Sequence, residues 1–364
     1  MKKVLLLLLV SNFLFAQKKK YSNEFLNIGI GGKGQAMGGA MTANVNDVTA
    51  AFWNPANLTS LDAKDGLQVG AMHTEWFAGI GSYDYIALAI PMAEKRRTIG
   101  LSIIRFGIDG IPNTLSLYDD DGTINFDKVT TFSAADYAVL GSFAQGLNIR
   151  GNQLSLGGNV KVVRRVIGTF ANSWGFGLDL GAQYQVKNFK FGLALKDATN
   201  TFNSWRFAFT DKEKQVLSFT NNVVPISSLE VTRPTINLGI AYQKKFNKVG
   251  VLAEADLIAT TDGQRNTLIS GSKISMNPAA GVEISYDDLV YVRGGISNFQ
   301  KDNTFDKKGF WVSQPGVGLG LKIRNIKLDY AFTNVGSTEN RSYSHIVSLI
   351  LQVKPRTPKG RLQD

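Results

Sequence analysis

A glycine-rich stretch near the amino terminus has the spacing of a dinucleotide-binding motif. Gly29, Gly31 and Gly34 fit G-x-G-x-x-G, and Asp47 follows at about the distance where such a site places its ribose-binding carboxylate. The motif requires a strand before it, a helix after it and a parallel βαβ unit around it. The segments that follow have the pattern of antiparallel hairpins, and no Lys-Ser or Lys-Thr closes a P-loop. We therefore expect no nucleotide site, and we expect the glycines to serve close packing.

Other residue types that support catalysis or metal binding are sparse. His73 and His345 are the only histidines, and the chain has no cysteine. The run from Asp119 to Gly122 resembles half of a calcium loop but lacks the alternating ligands and the terminal glutamate, so it is predicted to form a turn. Glu254 and Asp256 share one strand face, as two acids in a polar lumen would. The sequence predicts no enzyme, no catalytic residue, no metal and no cofactor.

Charge and the amino-terminal residues indicate an exported protein. Residues 1–16 have the charged start, apolar stretch and small final residue of a signal peptide. The formal net charge of the whole chain is +11. Excess lysine and arginine could favour anionic lipid headgroups or an acidic partner protein, or simply form a solvated surface. The basic residues are scattered and no recognition motif accompanies them, so nucleic acid is not an expected partner.

From residue 66 to residue 353 the chain alternates with a period of two residues. In Trp174–Val186, one face carries Trp174, Phe176, Leu178 and further apolar residues, whereas glycine, Asp179 and glutamine occupy the other face. Segments of about ten residues match the length that crosses a bilayer as a tilted strand. Many connections fall into short turns and long loops, including a long loop from Thr199 to Pro234. The pattern predicts an all-β fold, an antiparallel transmembrane barrel of roughly fourteen strands with short periplasmic turns and long extracellular loops. The expected strands start near Leu67, Ser82, Thr98, Phe132, Asn152, Ser173, Asn188, Thr235, Lys248, Asn277, Leu289, Pro315, Asn325 and Tyr343.

The segments on either side of the predicted barrel have different compositions. Residues 17–65 are rich in glycine and small residues, and we expect them to form a hatch or plug in the lumen, with a periplasmic lid as the alternative. Asn54 and Pro55 should end a short helical run, because the residue before proline avoids helical geometry. Residues 354–364 form a basic, proline-bearing tail that is predicted to be disordered.

Residues 32–61 resemble the amino-terminal signature of the PorV/PorQ family, which is related to FadL-like outer-membrane transporters. The residues that carry the resemblance are Met37, Gly38, Gly39 and Ala40 in a Met-Gly-Gly-Ala run, and Trp53, Asn54, Pro55 and Ala56 in Trp-Asn-Pro-Ala. The resemblance implies an outer-membrane location in a Gram-negative, Bacteroidetes-like bacterium. A barrel docked from the periplasm as a translocon plug is the second expectation.

Two functions follow from this resemblance. The first is an accessory or plug subunit of the type IX secretion translocon, with outer-membrane lipid and a large translocon barrel as partners. Its contact candidates are aromatic and basic residues of the long mid-chain loop, Trp205, Arg206, Phe207, Phe209 and Phe219. The alternative is FadL-like transport of hydrophobic small molecules, which requires an apolar pocket along the lumen. The polar inner faces of the predicted strands count against this alternative.

Overall fold

The computed structural model describes residues 22–76, 79–93, 96–119, 121–219, 227–303, 309–334 and 343–354. The predicted signal peptide and residues 355–364 of the predicted tail lie outside these ranges. Among the described residues, no helix is long and apolar enough to cross a bilayer.

A closed antiparallel barrel accounts for most of the chain, as the alternating pattern predicts. The first strand pairs with both the second and the last, with Leu67 opposite Val353, so the sheet closes on itself within the described residues. The strands are β1 (Leu67–Trp76), β2 (Gly81–Met92), β3 (Arg97–Asn113), β4 (Thr130–Ile149), β5 (Asn152–Ile167), β6 (Ala171–Val186), β7 (Phe189–Lys196), β8 (Thr201–Phe207), β9 (Ser227–Thr232), β10 (Thr235–Phe246), β11 (Val249–Thr260), β12 (Ile269–Ser270), β13 (Ser275–Tyr286), β14 (Val290–Asn303), β15 (Gly309–Ile323), β16 (Ile326–Asn334) and β17 (Tyr343–Val353). β7 with β8 and β9 with β10 each form one interrupted barrel strand, and β12 is a short addition beside β13. The barrel therefore has fourteen strands, which confirms the predicted fold class.

The predicted loop from Thr199 to Pro234 is partly wrong, because β8 and β9 lie within it and continue the barrel wall. Here Asn203 faces the interior while Phe202 faces outward, and the apolar and polar positions are too mixed to stand out as a membrane strand. A nine-residue helix, Asp211–Phe219, follows β8. The connection between β5 and β6 is also short, so long and short connections alternate less regularly than predicted.

The outer surface carries an apolar band below a polar row. Val160 and Phe176, 60% and 62% exposed, exemplify the band, whose large apolar side chains face outward and are not covered by the described part of the chain. Near the long-loop ends of β1 to β6, directly opposed residues form a polar and aromatic row: His73, Asp84, Arg105, Tyr137, Arg164 and Trp174. The Nδ1 atom of His73 lies 2.6 Å from a carboxylate oxygen of Asp84, and Arg105 donates to the other oxygen at 3.1 Å. This arrangement is typical of a barrel whose apolar band meets lipid and whose polar row meets headgroups.

Residues 22–65 fill the lumen as a hatch, and Gly66 joins them to β1. The hatch has short helical segments: Glu24–Asn27, Gly32–Ala36, Ala50–Trp53, Pro55–Ser60 and Ala63–Asp65. A further short helix, Phe126–Lys128, lies in the connection between β3 and β4. Most hatch residues are buried, and the apolar ones form the main hydrophobic cluster of the molecule.

Candidate functional site: the hatch and the vestibule above it

Two of the three glycines that resemble a nucleotide motif, Gly29 and Gly34, pack against an indole ring. A Cβ atom on Gly34 would lie 2.6 Å from Cζ2 of Trp53, and one on Gly29 would lie 2.8 Å from Cη2 of the same ring. The Nε1–H group of Trp53 donates to the carbonyl oxygen of Ile30 at 3.2 Å. Only glycine leaves room for the ring at these positions, so the spacing of the motif reflects packing inside the hatch.

Asn54 and Pro55 fix the turn that follows the helical segment Ala50–Trp53. The Asn54 side chain accepts a hydrogen bond from the backbone N–H of Ala56 at 3.1 Å and donates to the carbonyl oxygens of Thr42, at 2.8 Å, and of Ala182 on β6, at 3.2 Å. Asn54 thus caps the 3₁₀ segment that begins at Pro55 and joins two parts of the hatch to the wall.

The barrel wall receives the hatch through inward-facing glycines. At each of these positions a Cβ atom would overlap the hatch: Gly157, Gly181, Gly192, Gly281, Gly295 and Gly316. The Met-Gly-Gly-Ala run meets two of them, because Met37 lies against Gly281 and Gly295, and Gly38 also lies against Gly295. The inner-face glycines that the sequence shows therefore permit close backbone approach.

Two carboxylates on β11 hold the hatch by its backbone. Asp256 Oδ2 accepts from the N–H groups of Met41 and Thr42, both at 2.9 Å. Glu254 Oε1 accepts from the N–H groups of Ala43, at 2.6 Å, and Asn44, at 3.3 Å. The acidic pair therefore anchors the hatch through four hydrogen bonds from backbone N–H groups.

Ion pairs hold the hatch at the short-turn end of the lumen. The Lys33 ammonium lies 3.7 Å from Glu283, and the Lys327 ammonium lies 3.3 Å from Asp47. Burial alone would raise the pKa of Asp47, but the ammonium groups of Lys327 and Lys33 and hydrogen bonds from Thr49 hold it below its usual value. These residues line a cavity of about 70 Å³ at the short-turn mouth of the lumen.

A larger cavity of about 880 Å³, here called the vestibule, lies between the hatch and the long-loop end of the barrel. Aromatic side chains face it from the hatch and from the wall: Phe25, Phe52, Trp53, Trp76 and Phe106. Amide and hydroxyl side chains of the wall surround them, among them Asn237, Asn277, Gln314 and Thr333. The Lys196 ammonium lies 4.2 Å from the ring centre of Phe52, at the edge of this aromatic floor.

The strand pattern could not reveal the aromatic floor, because Phe25, Phe52 and Trp53 belong to the hatch rather than to an inward strand face. The polar inner faces of the strands, which counted against an apolar pocket, are mostly covered by the hatch. The signal for the aromatic floor that the sequence did offer was Trp53, one of the residues that carry the family resemblance. In the structure Trp53 packs against hatch glycines and also faces the vestibule.

The residues predicted to contact a partner protein lie on β8, in the connection after it and in the helix Asp211–Phe219. Trp205 is 5% exposed and points inward, where the Arg165 guanidinium lies 5.1 Å from the centre of its ring. Phe207 and Phe209 continue a stacked aromatic series, whereas Arg206 is exposed and Phe219 is 78% exposed. Phe219 is therefore open to a partner, whereas Trp205 is packed toward the interior.

Solved structures share this fold over most of the chain. The CymD monoaromatic hydrocarbon channel has a TM-score of 0.56 and 13% identity, covering 93% of this chain and 100% of that chain. The Ralstonia pickettii toluene transporter TbuX has a TM-score of 0.52 and 14% identity, covering 89% of this chain and 98% of that chain. The P. putida toluene transporter TodX has a TM-score of 0.53 and 12% identity, covering 90% of this chain and 99% of that chain. No family model and no curated protein matches the chain.

These comparisons correct the function that the resemblance first implied. An accessory or plug subunit of a type IX translocon is wrong, because the similar structures are a hydrocarbon channel and toluene transporters, which favours the alternative function. The hatch, which was predicted as a possible plug, also fills the lumen of its own barrel. The comparisons give no support to the PorV/PorQ part of the resemblance. The closed barrel, its outward apolar band and these channel folds point to the outer membrane of a Gram-negative bacterium.

Proposed function

We propose that this protein transports hydrophobic small molecules across the outer membrane, with the vestibule as their entry site. The observation that carries the proposal is the aromatic floor formed by Phe25, Phe52 and Trp53 beneath a cavity of about 880 Å³. Ligand pockets of this kind combine apolar and aromatic walls with a few polar groups. The likeness to a monoaromatic hydrocarbon channel and to toluene transporters supports the same class of ligand.

The size of the site suits a small aromatic compound. Burying about 200 Å² of apolar ligand surface contributes about 5 kcal/mol before the cost of association. Dissociation constants in the millimolar range or weaker are therefore expected, as suits a channel that must release what it binds.

Ligand binding can be followed through tryptophan fluorescence, since Trp53 and Trp76 both face the vestibule. Purified protein is titrated with toluene, and uptake of labelled toluene into proteoliposomes is measured in parallel. Phe52→Ala should weaken toluene binding about five- to thirtyfold, because an aromatic wall contributes about 1–2 kcal/mol. Phe176→Ala is the matched control, since this phenylalanine lies on the outward face, 62% exposed.

Saturable quenching in the wild type, weakened by Phe52→Ala and unchanged by Phe176→Ala, together with toluene uptake above that of protein-free liposomes, supports the proposal. Equal effects of the two substitutions, or uptake no faster than in protein-free liposomes, would refute it.

A further inference from the structure

The short-turn end of the barrel carries a ring of unpaired cations, here called the periplasmic collar: Arg97, Arg150, Lys187, Lys244, Arg324 and Lys354. None of these side chains forms an ion pair within the described part of the chain. The neighbouring Lys245 and Lys248 do pair, with Asp288 and Asp287. These cations are therefore gathered at one rim of the barrel, without acidic partners among the described residues.

The backbone conformation at three of these turns does not favour lysine or arginine, which indicates that their positive charge has a role of its own. Arg150, Lys187 and Arg324 have φ values of 51°, 52° and 53°, in the left-handed region. Tight hairpin turns prefer glycine, asparagine or aspartate there, and two other short turns do have Asn247 and Asp287 at such positions. Long basic side chains gain nothing from this conformation, so the turn geometry does not explain their presence.

Exposed apolar residues next to the collar identify the environment that it meets. Ile149 precedes Arg150, Phe189 follows Lys187 by two positions, and Ile323 precedes Arg324; these three apolar side chains are each at least two-fifths exposed. The Lys244 ammonium lies 4.8 Å from the centre of the outward Phe246 ring. An acidic soluble protein would explain the charges but not the outward apolar residues beside them. The boundary between hydrocarbon and headgroups explains both, because basic side chains there bury their stems and extend their charges to phosphate.

We propose that the periplasmic collar binds the phosphate groups of anionic phospholipids in the inner leaflet of the outer membrane. The collar fixes the depth and orientation of the barrel at that leaflet. The polar row containing Asp84 and Arg105 marks the opposite boundary. This inference depends on the membrane location and not on what passes through the lumen.

The test is native mass spectrometry of the full-length mature protein in detergent, titrated with phosphatidylglycerol or with phosphatidylcholine of the same acyl chains. The test variant is Arg150→Gln, Lys187→Gln and Arg324→Gln combined. The matched control removes the same number of positive charges at the long-loop end, with Arg206→Gln, Lys212→Gln and Lys273→Gln. Both variants are first checked for a folded barrel by their migration in unheated gels.

Wild type and control should retain phosphatidylglycerol in preference to phosphatidylcholine. Each collar cation that is removed should lower the affinity for phosphatidylglycerol about fivefold. This affinity should also weaken as the salt concentration rises. Equal loss in both variants would assign the effect to net charge and overturn the proposal. Absence of a phosphatidylglycerol preference in the wild type would also overturn it, and would turn attention to an acidic periplasmic protein.

Discussion

The hatch should be released when its two carboxylate anchors are removed. In Glu254→Ala/Asp256→Ala, the backbone N–H groups of residues 41–44 lose four hydrogen bonds to carboxylate oxygens. The strand ladder of β11 with β10 and β13 does not use these side chains, so the barrel wall should remain intact.

The magnitude follows from two opposing terms. Each of these hydrogen bonds contributes about 0.5–3 kcal/mol, with the larger values applying to an ionised carboxylate, which sets an upper limit near 12 kcal/mol for the four. Removing two neighbouring buried carboxylates also relieves their desolvation and mutual repulsion, and water can reach the freed amides. We expect a net loss of about 3 kcal/mol in hatch docking, which raises the population of the undocked hatch about 150-fold.

Conductance in planar bilayers and limited proteolysis of the hatch measure this population. The double variant should show frequent large conductance steps and faster cleavage within residues 22–65, while its β-sheet circular dichroism is unchanged. Asp256→Asn keeps an acceptor oxygen and should have a smaller effect. Asp84→Ala, on the outer face, controls for loss of an acid. Wild-type conductance and wild-type protection in the double variant would refute the anchoring role.

Three further predictions concern hatch packing and charge. Gly295→Ala should lower the free energy of unfolding in urea by about 1–3 kcal/mol because its Cβ atom would overlap Met37, whereas Gly294→Ala, with open space around its Cβ atom, should not; equal midpoints would contradict this. Trp53→Ala should cost about 3–5 kcal/mol in hatch stability, measured by hydrogen exchange of hatch amides, and an unchanged exchange rate would exclude a packing role. Asp47→Asn should accelerate hatch proteolysis at neutral pH. A group with a lowered folded-state pKa stabilises fully above its unfolded value and loses that contribution as pH falls through the folded value. Variant and wild type should therefore begin to converge only as pH falls below about 4 and become equal below the lowered pKa of Asp47, as read with an acid-active protease. A difference that persists there would contradict the assignment.

The sequence predicted the wall of this molecule better than its site. Alternation of apolar and small residues located every membrane strand, because one face meets lipid and the other meets the lumen. The extension formed by β8 and β9 was missed, since above the membrane the outer face need not be apolar and the alternation fades. The hatch was predicted as a segment, but its contacts were not, because Glu254 and Asp256 meet backbone N–H groups that every residue carries. No side-chain pattern marks such a partner.

The hatch and the wall are held by different kinds of bond, which gives them separate stabilities. The wall closes through continuous backbone ladders from β1 round to β17, so opening it requires breaking many bonds together. The hatch is held mainly by side chains of the wall, such as Asp256 and Glu283, and by close packing against glycines. Local opening occurs in the least stable units of a protein, so the hatch can undock from the lumen while the barrel stays folded. Because Phe52 and Trp53 belong to the hatch, any such movement removes the aromatic floor of the vestibule. Under the proposed transport function, ligand affinity and lumen closure are therefore coupled through the same segment.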